Sequence, residues 1–294
     1  MRSPLLCSLV AVIGVAAIVP TRAADDPVVF KSHAEIAARL AERARETPTP
    51  DMVAANVKSS GDKYQINVVR RTKPQGAIAH AVGSEIHSII DGSATLVTGG
   101  TIVRPSANPG DRARGTVQNG VSRTVGKGDV VLVPPGTPHW YQSIDGVVTY
   151  LEIRFDVGAA PGTPAVPITS SAVRTILAEK AAAVPAPLMF SVPVARGEKF
   201  QANVVKRTNP QGGGAHELGT EVHQILEGSG TLITGGTVVR PQGGAAGTAT
   251  IQGGHSRKVA AGDVVLIPAN TPHWYQSVEG SITYLEVRFE VPAP

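Results

Sequence analysis

The stretch GDVVLVPPGTPH (Gly128 to His139) returns later in the chain as GDVVLIPANTPH (Gly262 to His273). Each copy reads as a short, β-branched strand that runs into a proline-bounded turn and ends on an imidazole. The prolines stiffen the backbone just before the histidine and so fix where its ring points. The likeness extends outward from this stretch. Gly128–Ser143 aligns with Gly262–Ser277 at a shift of 134, with 13 identities in 16 positions. Asn67–Pro105 aligns without gaps with Asn203–Pro241 at a shift of 136, with 25 identities in 39. A period this long means a duplicated domain, not a solenoid. The copies run from Asp26 to Val157 and from Val166 to Pro294, and the Gly-, Ala- and Pro-rich stretch 158–165 reads as a linker.

Most of each copy has strand character. YQINVVRR (Tyr64–Arg71), EIHSII, ATLVT, TIVRP, DVVLVP and VTYLEIRF are β-branched or alternating. Gly99-Gly100 predicts a hairpin and Asp91-Gly92 another turn. A short helix opens each copy. Ser32 and Glu35 have capping-box spacing ahead of an Ile36, Leu40, Ala44 stripe. Near Ser171 to Val184, one face carries Val173, Ile176, Leu177, Ala181 and Val184. With 42% hydrophobic residues, 32 Gly and 23 Pro in 294 residues, the composition favours many short strands over a helical bundle. The predicted fold is all-β: two tandem small barrels or jelly rolls, each preceded by a helix.

Residues 1–23 read as a secretory signal peptide. Arg2 precedes the apolar run Pro4–Val19, and Thr21-Arg22-Ala23 supplies a cleavage site near Ala23. The apolar run is shorter than the ~20 residues of a spanning helix. The expected location is periplasmic or secreted, with no membrane contact after cleavage. The only cysteine, Cys7, lies in this segment, so the mature chain has no thiol ligand and no disulfide. Loss of Arg2 and Arg22 lowers the formal charge from +4 to +2. No basic run is interleaved with aromatics, which argues against nucleic acid as a partner.

Six of the eight histidines fall at matched positions: His80, His87 and His139 in the first copy, and His216, His223 and His273 in the second. Glu85 and Glu221 are matched as well. His33 and His255 have no counterpart and read as surface residues. Glu85 and His87 are two apart on a strand and so share one face. Three imidazoles and a carboxylate suit a divalent first-row cation, whether iron, manganese, zinc or nickel, with one site per copy.

At these residues the chain resembles the cupin superfamily. The stretches Gly128–His139 and Gly262–His273 are similar to the second cupin motif, with Asn270 at its last glycine. Glu85 to Gly92 and Glu221 to Gly228 have the Glu-to-Gly spacing of the first. The resemblance covers almost the whole mature chain twice and implies a bicupin with a metal near each barrel axis. The usual first imidazole is replaced by Ile78 and Gly214. His87 and His223 share the inward face with the glutamates and are expected to take its role. Ser143 and Ser277 replace the motif's closing Asn, and Gln142 and Gln276 are candidates for its hydrogen bond.

Alternation predicts Tyr141 and Tyr275 inward and Trp140 and Trp274 outward. Either tyrosine can serve as a proton donor near a metal or as barrel filling. Tyr150, Glu152 and Arg154 share one face, as do Tyr284, Glu286 and Arg288, and the Glu–Arg pairs read as structural. Arg104 and Arg240 sit where an anionic substrate could be met. The expected function is a metal-dependent enzyme acting on a small polar molecule, of oxygenase, lyase or isomerase type. The alternative is a non-catalytic periplasmic module binding a ligand or metal. Homo-oligomerisation is left open.

Overall fold

A computed structural model describes residues 26–48, 50–61, 63–106, 115–157, 164–183, 189–217, 219–245 and 247–290. The segment 1–23 expected as a signal peptide, residues 158–163 of the expected linker and Val184 lie outside them. The first copy runs β1 (Val29–Lys31), α1 (His33–Glu46), β2 (Met52–Ser60), β3 (Tyr64–Arg71), β4 (Ser84–Thr98), β5 (Thr101–Val103), β6 (Thr116–Gln118), β7 (Val121–Gly126), β8 (Val130–Val133) and β9 (His139–Phe155). The second repeats the order as β10 (Val166–Ile168), α2 (Ser170–Ala183), β11 (Met189–Arg196), β12 (Phe200–Arg207), β13 (Thr220–Thr234), β14 (Thr237–Val239), β15 (Thr250–Gln252), β16 (His255–Ala260), β17 (Val264–Ile267) and β18 (His273–Phe289).

Each copy is built on two long antiparallel strands. β4 pairs with β9, and β13 with β18, along nearly their whole lengths. Register shifts at Ile89/Asp91, Gly92/Ser93 and Thr95/Leu96 mark bulges that curl the β4–β9 pair around its inward side chains. Gly92 sits at one of them with φ 77, where a Cβ would lie 1.8 Å from the Val147 carbonyl oxygen. Gly228 repeats this with φ 75 and 1.9 Å to the Ser281 oxygen. The motif glycine is therefore a steric requirement of the bend.

Two expected turns differ from what the chain does. Asp91-Gly92 is a bend inside continuous β4, not a reversal. Gly99-Gly100 turns the chain out of β4, with φ 75 and 71, but β5 pairs with β6 and does not fold back. The end of β4 has no free edge to offer, because Thr98 already pairs with Val121 on β7 and His139 on β9.

The copies exchange their first strands. β1 pairs with β17 of the second copy, and β10 pairs with β8 of the first. Strand order is therefore β10-β8-β4-β9-β3-β2 in one sheet and β1-β17-β13-β18-β12-β11 in the other, with β7 and β16 added to β4 and β13. The Asp of each GDVV stretch secures the exchange. Asp129 accepts hydrogen bonds from Gly126 N (2.9 Å) and from Ser170 N (2.7 Å), the first residue of α2. Asp263 accepts from Ala260 N (2.9 Å) and from His33 N (2.8 Å), the first residue of α1. Each carboxylate thus satisfies a free amide at the start of the other copy's helix.

The first helix buries its expected stripe, and the second buries only the first part of its own, with Ile176 partly buried and Ala181 exposed. Ser32 and Glu35 form the capping box, and Ile36 and Leu40 are buried with Ala44 partly so. α2 buries Val173 and Leu177. These residues join one apolar cluster drawn from both copies, in which the equivalent rings Phe155 and Phe289 stack at 5.0 Å and 7°. Full burial of a phenylalanine contributes roughly 1.5–3 kcal/mol, so this shared core holds the copies together. A separate interior cluster in each copy, around Tyr150 and Tyr284, lines the side of the sheet that carries the histidines.

Candidate metal centre

Three segments converge inside each curled sheet. β4 projects Glu85 and His87, and the proline turn delivers His139 at the start of β9. The third segment is pinned across His139: Ile78 N donates to His139 O (3.1 Å) and His139 N to Ile78 O (2.8 Å). Gly136 N then donates to His80 O (2.6 Å), which ties the His80 loop to the turn. The second copy repeats both links, through Gly214 with His273 and through Asn270 N to His216 O (2.8 Å). Asn270 adopts φ 62 where Gly136 has 71, a left-handed conformation that Asn tolerates better than most residues.

In the first copy, Glu85 Oε1 lies 3.0 Å from His80 Nε2. Glu85 Oε2 lies 3.2 Å from His139 Nε2 and 3.4 Å from His87 Nε2. The donor atoms of His80, Glu85 and His139 all fall within 4.8 Å of one another, and so do those of His216, Glu221 and His273. His87 stands beside its triad. In the second copy Glu221, His223 and Glu286 form a further such triad, so Glu286 is a ligand-type residue that the sequence reading treated only as half of a structural pair.

The outer nitrogens are tied down by the surrounding fold. His139 Nδ1 meets the Thr137 carbonyl at 3.1 Å and His273 Nδ1 the Thr271 carbonyl at 3.0 Å, so these nitrogens carry the proton and donate it. His87 Nδ1 meets the Tyr141 hydroxyl at 3.2 Å, and His223 Nδ1 meets that of Tyr275 at 3.1 Å. Burial raises both tyrosines well above their ordinary pKa. Arg71 Nε donates to the Tyr150 hydroxyl (2.9 Å) and its guanidinium lies over the Tyr141 ring, 5.3 Å from the centroid. The tyrosines are inward as expected, but behind the histidines. Trp140 is turned away from the cluster, donating to Gln75 O (2.7 Å). Gln142 and Gln276 are exposed and do not close the motif's hydrogen bond. Arg104 and Arg240 are also exposed, and of the unmatched histidines His33 is exposed and His255 half-buried.

The donor set fits a cation. Both oxygens of Glu85 and Nε2 of His87 are buried without a hydrogen-bond partner of proper geometry among the described residues. Such atoms are costly unless a bound ion or solvent satisfies them. Burial opposes a charge on Glu85, but His139 and His87 outweigh it and hold the carboxyl well below the usual range. His139 moves up in return, Glu85 outweighing burial. Glu221 is held down to about 2 against burial by His223, His273 and Arg288, while burial moves His273 down.

The arginines at the cluster were the feature least visible in sequence. Arg154 lies directly opposite Glu85 in the β4–β9 register, and Arg288 opposite Glu221. Arg154 Nη1 sits 3.3 Å from His80 Nδ1, and Nη2 donates to Gln65 Oε1 at 2.8 Å. Arg288 Nε donates to Glu221 Oε1 at 3.0 Å, and Nη2 lies 2.9 Å from His216 Nε2. A cavity of about 320 Å³ opens onto the second cluster, bordered by Asn203, Arg207, Gly214 and Glu286. Gly214 faces open space, whereas the matching Ile78 places a half-exposed side chain there.

No protein-family model and no curated protein sequence matches the chain. Its likeness to solved structures is in three dimensions. It is similar to a salicylate 1,2-dioxygenase from Pseudaminobacter salicylatoxidans, with 11% identity, TM-score 0.59, and 94% of this chain and 88% of that one covered. A single-site mutant of that dioxygenase in complex with gentisate gives 12% identity and TM-score 0.62, over 93% and 84% of the two chains. A cupin 2 conserved barrel domain protein from Leptotrichia buccalis gives 13% identity and TM-score 0.51, over 83% and 91%. Together with the internal duplication, these likenesses show that the chain carries the cupin fold twice in tandem.

Proposed function

We propose that the chain is an exported, metal-dependent enzyme acting on a small polar molecule. The observation that carries this reading is the group of three buried, unpartnered donor atoms on Glu85 and His87. A bound divalent cation would relieve this group and would supply Lewis-acid activation of a carboxylate or carbonyl. His80, Glu85, His87 and His139 would hold it in the first copy, and His216, Glu221, His223 and His273 in the second. Thr137 and Thr271 present carbonyls that keep the Nε2 lone pairs of His139 and His273 turned inward. Tyr141 and Tyr275 orient His87 and His223 from behind, which makes them positioning residues in this reading. Ile78 and Gly214 supply no imidazole where the cupin pattern has one, and beside Gly214 this leaves a side of the second cluster open to a small molecule. A gentisate complex of a protein with this fold supports a small-molecule ligand at the level of fold analogy.

Cobalt-substituted protein tests the proposal. The enzyme reading expects the absorption of an open five- or six-coordinate site whose spectrum responds to small added anions. A closed tetrahedral spectrum indifferent to them contradicts it and favours the non-catalytic binding module. Export rests on residues 1–23 alone. Terminal sequencing of protein from the native cell should find a chain that begins near Asp25, and an intact Met1 would overturn that part.

A further inference from the structure

The two clusters are built from matched residues, but their arginines are used differently. In the first copy the guanidinium lies behind the ligands. Arg154 Nη1 donates to Nδ1, the outer nitrogen of His80, and Gln65 holds it there, so no guanidinium lies on either oxygen of Glu85, and a neutral His80 keeps its proton on Nε2, 3.0 Å from Glu85 Oε1. In the second copy the guanidinium lies among the ligands. Arg288 spans Glu221 Oε1 and His216 Nε2, two of the atoms that a metal would take, and its Nη2 is 3.7 Å from Glu286 Oε1. Glu221 Oε2 has a hydrogen bond of its own, from His223 Nε2 at 3.1 Å. No oxygen of Glu221 is left unpartnered, in contrast to Glu85.

An arginine is always charged and has no lone pair to offer a metal. A guanidinium in this position is a resident cation that satisfies the carboxylate and occupies the imidazole lone pair. Metal can enter the second cluster only by breaking two charge-assisted contacts to the guanidinium, whereas in the first it meets a carboxylate free of arginine and needs only a proton shift on His80.

We propose that the two copies bind metal unequally: the first is the standing metal site, and Arg288 self-caps the second, so that metal there must displace its guanidinium. This rests on the reading that the His/Glu clusters bind metal. Once displaced, Arg288 remains in the wall of the cavity beside Arg207, where it can meet an anionic group of a substrate.

Zinc calorimetry on metal-free, full-length protein at about pH 8, where ordinary imidazoles are neutral, tests the inequality. His273→Ala leaves only the first cluster intact, and His139→Ala only the second. The His273→Ala protein should bind zinc tighter than the His139→Ala protein, on the order of tenfold or more. Adding Arg288→Gln to His139→Ala should close most of that gap, and Arg288→Met, which keeps the side-chain length, should do the same. Adding Arg154→Gln to His273→Ala should change affinity far less than Arg288→Gln does in the other copy, because Arg154 touches only the outer nitrogen of His80. Circular dichroism of each variant confirms that a change in affinity is not a change in fold. Equal affinities, or no gain from either Arg288 substitution, would overturn the inequality and leave the metal reading intact. Absence of zinc uptake by both single-site proteins and by the unmutated chain would overturn the metal reading and this inference with it.

Discussion

Replacing Glu85 by Gln is expected to abolish metal uptake by the first copy while leaving the fold in place. Glu85 is the only carboxylate of the first triad, and both its oxygens are buried among the imidazoles of His80, His87 and His139. Glutamine keeps the shape but removes the charge. Loss of an outer-sphere partner of a metal typically costs 10–100-fold in affinity, so loss of the single anionic ligand should exceed roughly a hundredfold. Stability should fall or hold. Against burial, His139 and His87 keep the Glu85 carboxylate ionised in the fold, a contribution present at neutral pH, so metal-free Glu85→Gln should melt no higher than the unmutated chain. The rise in melting temperature on adding metal should shrink to the share that the second copy supplies. A Glu85→Gln protein that still takes up metal in the first copy would remove Glu85 from the ligand set.

The second large effect is expected at His87. Its ring is almost fully buried, stacked against Tyr141 and tilted over Tyr150 at 4.8 Å, with Nε2 turned toward Glu85. His87→Ala should lower metal affinity about as much as His139→Ala, on the order of tenfold or more. It should also cost the metal-free fold about 3 kcal/mol, because removal of a buried ring leaves a cavity. The two effects separate in experiment: affinity is read by calorimetry and stability by denaturant unfolding of metal-free protein. Unchanged affinity with lowered stability would make His87 a packing residue and leave the first site to His80, Glu85 and His139.

Much of the fold and most of the donor set were legible in the sequence, because both rest on fixed spacing. Glu85 must precede Gly92 by seven positions, since only glycine passes the Val147 carbonyl at that bulge. His139 must follow the proline turn that aims it. The duplicated motifs then gave two copies of the same constellation. Features that depend on which strand lies beside which were not legible. Arg154 and Arg288 reach the clusters through the register of β9 on β4 and β18 on β13, and nothing local in VTYLEIRF announces that pairing. The exchange of β1 joins segments more than two hundred positions apart, as Val29 with Leu266 shows, and β10 crosses back to the first copy, as Val166 with Leu132 shows. Gln142 and Gln276 were misjudged because alternation beyond Tyr141 and Tyr275 turns them to solvent.

The asymmetry between the copies could not be read from the matched ligands, since their residues are identical in type. It resides in the orientation of one side chain, Arg288, relative to its counterpart. On the proposed reading, that difference would give the duplicated chain two centres with different metal affinities from one ligand pattern.

The measurement that bears most directly on this account is the metal content of native, full-length protein, determined by elemental analysis after exhaustive dialysis against metal-free buffer. The account predicts a retained first-row metal near one atom per chain, held by the first copy, with a second equivalent taken up only when metal is supplied in excess. Protein that retains no metal, and whose melting temperature does not rise on addition of iron, manganese, zinc or nickel, would contradict it.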